Sequence, residues 1–314
     1  MNSTYGWKGS LVRVNLTSGE NQRISTAELT EQFIGGRGVV SKIYWDEVDK
    51  KTDALHPENP LILMTGPLAG TPAISGNRWF MAGKSPLLYP DQFGLGSIGG
   101  SMAVKIKAAG LDGLVVTGRA QKPSYLHITN GTAEIKDAAG LWGCDIPDTL
   151  KRLGDAHGKN AQSVCIGPAG ENTIRFAIAM SDTGSCGGSG FGAVMGSKNL
   201  KAIVVEGSEK VAVARPDELK KVNSQIRSLI EGRVLMDPNL DGIELIKRSP
   251  CQGCPSGCAR GLYKHVSGRE EIRKNCGSAY MYYLWDRMQN KDESTPVAFL
   301  ATSLIDRFGL CAQE

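Results

Sequence analysis

The sequence predicts an α+β protein, with a sheet-rich N-terminal part followed by a mainly helical one. Three observations carry this expectation. Between residues 10 and 205, short apolar runs recur, bounded by Gly, Pro, Asn or Asp, with few long helical periods between them. That pattern favours sheet layers over a doubly wound fold. After about residue 210 the pattern turns helical, so the chain divides into 1–210 and 211–314. Within the second part, "CQGCPSGC" sets Cys251, Cys254 and Cys258 in one turn-rich octapeptide.

Taken in order, "SLVRVNL" alternates and runs into "TSGE", a strand entering a turn. "LILMTGP" is an apolar run stopped by Gly-Pro, and "LDGLVVTG" reads the same way: both are buried strands. "SYLHITNGTAEIKD" is a hairpin around Asn130-Gly131, the dipeptide suited to a type I′ turn. "QSVCIGPAG", "RFAIAM" and "LKAIVVEG" supply further strands, and short helices are expected over 101–109 and 146–156. In the second part, Pro216 and the acids after it open a helix that places Leu219, Val222, Ile226, Leu229 and Ile230 on one face. "AYMYYLWDRM" and "VAFLATSLIDRFGL" also have helical spacing, which sets the cysteine segment in a loop between helices.

The net charge is +4, with acids and bases interspersed, which excludes a nucleic-acid footprint. No apolar stretch reaches the about 18 residues of a membrane span. The N-terminus lacks the pattern of a signal peptide, so a soluble, cytoplasmic protein without a membrane partner is expected. Glycine is abundant, with 39 residues, many in clusters such as Gly94-Leu95-Gly96 and Gly187-Gly188-Ser189-Gly190. Tight turns and close backbone approach to a ligand both explain such clusters.

The chain has eight cysteines. Clustered thiols in a large chain without an export signal point to metal more than to disulfides. The C-x2-C-x3-C run suits three corners of an iron–sulfur cube, with a distant fourth ligand. A Cys3His zinc site completed by His265 is the alternative that the spacing leaves open. Cys144 and Cys165 stand in apolar settings as small buried residues, and Cys186 lies in a glycine loop. Cys276 and Cys311 follow the cluster. Glu270 and Glu271 read as a solvated charge pair.

Several stretches occur together in a known order: "MTGPLAGT", "SGNRWFMAGKSPL", "SIGGSMAVKIKAAGLDGLVVTGRAQKP", "IGPAGEN", "GFGAVMGSKNLKAI", "CQGCPSGC" and "DRFGL". From Gly6 to Leu310 the sequence resembles the aldehyde ferredoxin oxidoreductase family. The resemblance implies a β-sheet domain cradling a tungsten or molybdenum bis-pyranopterin, then helical domains that bring a [4Fe–4S] cluster. It implies that Arg78 meets a pterin phosphate, and that Ser97, Gly99 and Gly100 line the loop reaching the phosphates and their bridging Mg2+. Ser97 stands where family members have Asn. Gly190 and Gly192 belong to the same cofactor-binding set, and Asp306 corresponds to an aspartate that binds the pterin amino group. Cys251, Cys254 and Cys258 are the implied cluster ligands, with Cys311 as the candidate fourth.

The sequence also departs from aldehyde-oxidising members. The loop 181–190, "SDTGSCGGSG", has no arginines, and the place of an acidic E-x-P-E-Y-E segment reads "IRKNCGSAYMY". In the branch resembling the tungsten subunit of benzoyl-CoA reductase, a cysteine in this segment coordinates the metal, and Cys276 stands there. Longer family chains carry a second D-x-x-G-L-C motif that is not found here.

The implied activity is oxidation of an aldehyde to a carboxylic acid, with electrons leaving through the cluster to ferredoxin or a similar iron–sulfur carrier. The alternatives are a benzoyl-CoA-reductase-like or other non-aldehyde member, and a non-catalytic cofactor-binding fragment that needs a separately encoded C-terminal half. No catalytic acid or base is assigned.

Overall fold

The computed structural model describes residues 5–182, 184–231, 243–255, 260–265, 271–274, 278–289 and 296–312. The chain opens with β1 (Ser10–Asn15), β2 (Asn21–Ser25), α1 (Ala27–Phe33) and α2 (Gly36–Glu47). Then come β3 (Leu61–Thr65), β4 (Trp79–Ser85), β5 (Gln92–Ile98), α3 (Met102–Ala108) and β6 (Gly113–Thr117). These strands form a six-stranded sheet in the order β2-β1-β6-β3-β4-β5, antiparallel except for the β1–β6 pair.

A second set follows: β7 (Ser124–Thr129), β8 (Thr132–Asp137), α4 (Ile146–His157), β9 (Gln162–Ile166), α5 (Pro168–Glu171), β10 (Ala179–Ser181), β11 (Cys186–Gly187), α6 (Phe191–Ser197) and β12 (Leu200–Glu206). They build another six-stranded sheet, β11-β10-β9-β12-β7-β8, in which only β12 and β7 run parallel. The β7–β8 turn has positive φ at both Asn130 (51°) and Gly131 (79°), as the type I′ expectation requires.

The layering explains the continuous apolar runs. In β3, Leu61 and Leu63 face one way and join Trp79, Ile98, Met102, Leu114, Phe191 and Ile203 in the largest core cluster. Ile62 and Met64 face the other way and pack with Val39, Val40 and Ile43 of α2. A strand covered on both faces has no reason to alternate with polar residues. α3 and α6 touch strands of both sheets and fill the space between them. α4 covers the far face of the second sheet through Ile146 and Leu153. α2 was not foreseen, because the glycines at its start masked the helical period.

The second part holds α7 (Pro216–Ile230), β13 (Ile243–Arg248), β14 (Gly261–His265), β15 (Glu271–Lys274), α8 (Ser278–Gln289) and α9 (Pro296–Phe308). The three helices expected here form, but an unforeseen antiparallel sheet of β13, β14 and β15 lies between α7 and α8. The cysteine segment is the connection between β13 and β14, not a loop between helices. The physical signal was Ile243 and Leu245, which alternate with charged residues and pack on Tyr263 and Phe299. α7 forms where expected, but none of its residues is buried, and Val222 and Leu229 are exposed. No helix among the described residues is long and apolar enough to cross a membrane.

Asp112, buried between α3 and β6, ties the start of the chain to the first sheet. It accepts from Lys107 Nζ, Lys8 N (2.9 Å), Gly9 N (2.8 Å) and Thr26 Oγ1 (2.8 Å). Lys107 is equally buried and also donates to Gly6 O at 2.8 Å. Burial lowers the Lys107 pKa, and the Asp112 charge opposes that shift. Asp112→Ala leaves Lys107 enclosed without its counter-charge. It is expected to destabilise the chain by about 3–5 kcal/mol, read from the urea midpoint. A loss below about 1 kcal/mol, the range of an exposed pair, would show that the pair does not pin this segment.

Candidate cofactor site

Three loops meet where the cysteine segment reaches the first sheet. Ser75 N donates to Gly253 O (2.9 Å), and Asn77 Nδ2 donates to Gln252 O (3.1 Å). Asn77 Oδ1 accepts from Gly70 N at 2.9 Å, so one side chain braces its own loop and holds the next. On the other side, Gln252 N donates to Gly100 O (3.3 Å). Gly99 N donates to Ser185 Oγ (2.7 Å), and Trp79 Nε1 donates to Gly99 O (3.3 Å). A Cβ at Gly99 would lie 2.4 Å from Cys251 Sγ, closer than any real contact. Glycine is needed there for the thiol to rest on the backbone. Cys254 N closes a turn on Cys251 O (3.0 Å), and both cysteines are half-buried.

Arg78 and Ser97 lie side by side. Arg78 Nε donates to Ser97 Oγ (2.8 Å), and Nη2 donates to Ser97 O (2.7 Å). Ser97 sits opposite Phe80 in the β4–β5 register, and Arg37 lies over the Phe80 ring at 5.3 Å. Arg37 and Arg78 are both exposed. Two guanidinium groups anchored to the same strand pair make an anion-binding surface. Sequence reasoning missed Arg37. Its only signal was a basic residue inside the cluster Gly35-Gly36-Arg37-Gly38.

Asp306, on α9, is buried, and neither of its carboxylate oxygens has a hydrogen-bond partner among the described residues. Burial pushes its pKa well above the ordinary value, and the charge of Arg260 pulls the other way. Arg260 is buried too, and its Nη1 donates to Cys251 Sγ at 2.8 Å. One guanidinium therefore bears on both the thiol and the enclosed carboxyl. Arg260 was not singled out from the sequence, although a basic residue just past the cysteine run was a usable signal.

The motif around Asp306 is anchored by the second sheet. Arg307 Nε donates to Asp145 Oδ2 (2.8 Å), the acceptor that also caps α4. Ile178 N donates to Gly309 O (2.9 Å), and Cys311 N donates to Phe176 O (3.1 Å). Gly190 and Gly192 serve the opposite side of the same 175–178 segment. A Cβ at Gly190 would lie 2.3 Å from Arg175 O, and one at Gly192 would lie 2.5 Å from Ile178 O. Gly192 N donates to Ala177 O at 3.0 Å. Cys311 packs beside the apolar cluster of Ile146, Leu153 and Cys165. Cys258 and Cys276 lie outside the described residues, as does Glu270.

These residues fit a pterin–metal group with an adjoining cluster. Asp306 is an enclosed acceptor that needs a donor, Arg78 and Arg37 suit phosphate, and Cys251 and Cys254 present sulfur beside a cation.

Comparison with known proteins points the same way. The family description "Aldehyde ferredoxin oxidoreductase, N-terminal domain" matches residues 11–207. The tungsten-containing aldehyde ferredoxin oxidoreductase of Pyrococcus abyssi is 35% identical over 313 residues, covering 85% of this chain and 51% of that protein. The WOR-like subunit of an aliphatic sulfonate oxidoreductase from Pyrococcus furiosus is 35% identical over 240 residues, covering 69% of this chain and 37% of that protein. Among solved structures, the active-site complex BamBC of benzoyl coenzyme A reductase, in complex with 1,5-dienoyl-CoA, matches with a TM-score of 0.85. That match has 25% identity and covers 98% of this chain and 53% of that one. The chain spans about half the length of the curated relatives it matches.

Two outcomes test this geometry. Gly99→Ala is expected to displace Cys251 and raise its alkylation rate several-fold, measured by peptide mapping after iodoacetamide. An unchanged rate would show that the sulfur does not rest on Gly99. For Asp306 the folded-state pKa is raised above 3.8, so the unfolded chain releases this proton first as pH rises. Stability then falls from about pH 4 upward through the folded pKa. Asp306→Asn is expected to raise the thermal midpoint at pH 7, with the advantage vanishing near pH 4. An equal shift at both pH values would remove the ionisation argument.

Proposed function

The chain belongs to the aldehyde ferredoxin oxidoreductase family, and on that premise we propose that it holds a tungsten or molybdenum bis-pyranopterin beside a [4Fe–4S] cluster in an oxidoreductase. The observation that carries this reading is the buried Asp306 carboxyl, without a hydrogen-bond partner among the described residues, next to an arginine that also contacts Cys251. An enclosed acceptor is costly unless a ligand completes it. The metal–pterin, when bound, supplies a two-electron change at a carbonyl or related carbon.

The chain's own residues bind and orient. Asp306 accepts from the pterin amino edge. Arg78 and Arg37 hold phosphate, with Ser97, Gly99 and Gly100 lining the same approach. Mg2+ bridging the phosphates belongs to this reading as well. Gly190 and Gly192 set the α6 end of the cradle. Cys251, Cys254 and Cys258 hold the cluster, with Cys311 proposed as the fourth ligand. Arg260 offsets the negative charge that thiolates bring to a buried place. In an aldehyde-oxidising member, aldehyde and water become carboxylic acid, two protons and two electrons. The cluster held by the cysteines would supply one-electron exit to a ferredoxin-like carrier, and a cytoplasmic setting belongs to the same proposal.

A second reading is a benzoyl-CoA-reductase-like member. The match to the BamBC complex over 98% of the chain favours it, as does Cys276 as a proposed thiolate ligand of the metal. Both readings draw on the part of the relatives that this chain does not span. Trp285, Met288, Val297 and Leu304 on α8 and α9 are exposed and offer it an apolar surface.

The test is metal and pterin analysis of the protein purified without oxygen from its native host. About four iron atoms per chain, with tungsten or molybdenum and pterin, are expected. Zinc without pterin would overturn the reading. Dye reduction with aldehydes, compared with dienoyl-CoA, then separates the two branches.

A further inference from the structure

A second group of metal-ligating side chains lies on the α4-covered face of the second sheet. His127 of β7, His157 of α4 and Glu206 of β12 place one ligand atom each within 4.8 Å of one another. His127 and Glu206 arrive there by register. Val204 pairs with His127 and Glu206 pairs with Thr129, so His127 and Glu206 are diagonal neighbours on one face. That face carries Tyr125, Ala202 and Val204 into the α4 cluster, and His157 is the last residue of α4. The sheet and the helix end thus converge on one point.

We infer that His127, His157 and Glu206 form a binding site for one divalent transition-metal ion of the zinc type, separate from the cysteine loop. Two imidazoles and a carboxylate are a suitable ligand set for zinc and its neighbours. His157 Nδ1 is 3.6 Å from Glu206 Oε1, and His127 Nε2 shares a hydrogen bond with that same oxygen. Ligand atoms about 2.1 Å from a tetrahedral ion stand about 3.4 Å apart, so rotations of about an ångström close the set.

Tyr125 Oη lies 3.2 Å from His157 Nε2. By accepting from Nε2–H it leaves the Nδ1 lone pair facing Glu206, the outer support that ligating histidines use. The C-terminal end of α4 favours a cation at this position. Burial and the neighbouring His127 lower the His157 pKa, which favours the neutral ring that ligates. Lys136 opposes a cation here, but its ammonium is paired with Glu134 at 2.6 Å. The side chains of His127, His157 and Glu206 are 18%, 10% and 28% exposed, which leaves the fourth position to water. Ligation through His127 Nε2 requires that nitrogen to present its lone pair, which the neutral ring does in the Nδ1–H tautomer.

Cobalt(II) titration of the full chain tests this, because thiolate and imidazole sites give different spectra. One equivalent is expected to give d–d absorption without sulfur-to-cobalt charge transfer, distinct from any signal at the cysteines. His127→Gln, His157→Gln and Glu206→Gln are each expected to weaken that equivalent by at least about tenfold. They are also expected to abolish the rise in thermal midpoint that zinc gives the parent chain. Tyr125→Phe is expected to weaken it less. Should a histidine variant fail to fold, Glu206→Gln decides by the same readout. Absence of the thiolate-free signal, or its persistence in the Gln variants, would overturn the site. Pterin and iron content play no part in this readout, so it stands or falls independently of the proposed function.

Discussion

The contact on which the site depends is the seat of Cys251 sulfur on the bare backbone of Gly99. It joins the cysteine loop to the β4–β5 strand pair, and the surrounding hydrogen bonds serve it. Ser185 fixes the Gly99 amide, Trp79 fixes its carbonyl, and Asn77 holds the incoming loop through Gln252. Each of these groups is buried or half-buried, where a lost partner costs more than at a surface. Because Gly99 adjoins the Arg78–Ser97 pair, a shift in one loop reaches the anion-binding surface as well. The thiol and the Arg78–Ser97 pair are thus joined through neighbouring residues of β5 and the loop that follows it.

Asp306 shows the opposite economy. Several ordered contacts position a carboxyl that has no hydrogen-bond partner among the described residues. Arg307 holds α9 to the cap of α4, and Gly309 and Cys311 are tied to Ile178 and Phe176. Residues 175–178 are backed by α6, which can close on them because Gly192 has no side chain to strike Ile178 O. The glycines of the "GFG" stretch therefore act on Asp306 through packing. Lys198, at the end of α6, is also buried, and desolvation lowers its pKa to about 7, but it donates to the carbonyls of Pro57 and Gly118. The two buried groups differ in kind: the lysine is completed within the fold, while the carboxyl has no hydrogen bond among the described residues.

The elements legible in the sequence were those with a local cause. The apolar runs became β3, β6 and β12, and Asn130-Gly131 became the turn that its backbone preference dictates. Arg78 and Ser97 were singled out through resemblance alone, and their hydrogen bonds to each other were not foreseen, since a single exposed arginine carries no local signal. Arg260 was missed because its role is non-local: it acts on Asp306, far along the chain. The β13–β15 sheet was missed because its strands are short and β13 is mostly exposed, so alternation is weak against the helical period around it. Glycine clusters were ambiguous for a physical reason. Close approach to a ligand and close approach to another strand make the same demand on a residue.

α7 carries the helical period that the sequence promised, yet buries none of its residues. Periodicity records which face a helix is built to bury, and here Val222 and Leu229 remain exposed. The same holds for α8 and α9, where Trp285, Met288, Val297 and Leu304 form an apolar surface while Phe299 and Ala298 on the other side pack on Tyr263. By contrast, the two six-stranded sheets bury their apolar residues almost completely. Among the described residues, the pattern is therefore satisfied in the sheets and left open on α7, α8 and α9, whose apolar faces are the part of the fold still able to bury further surface.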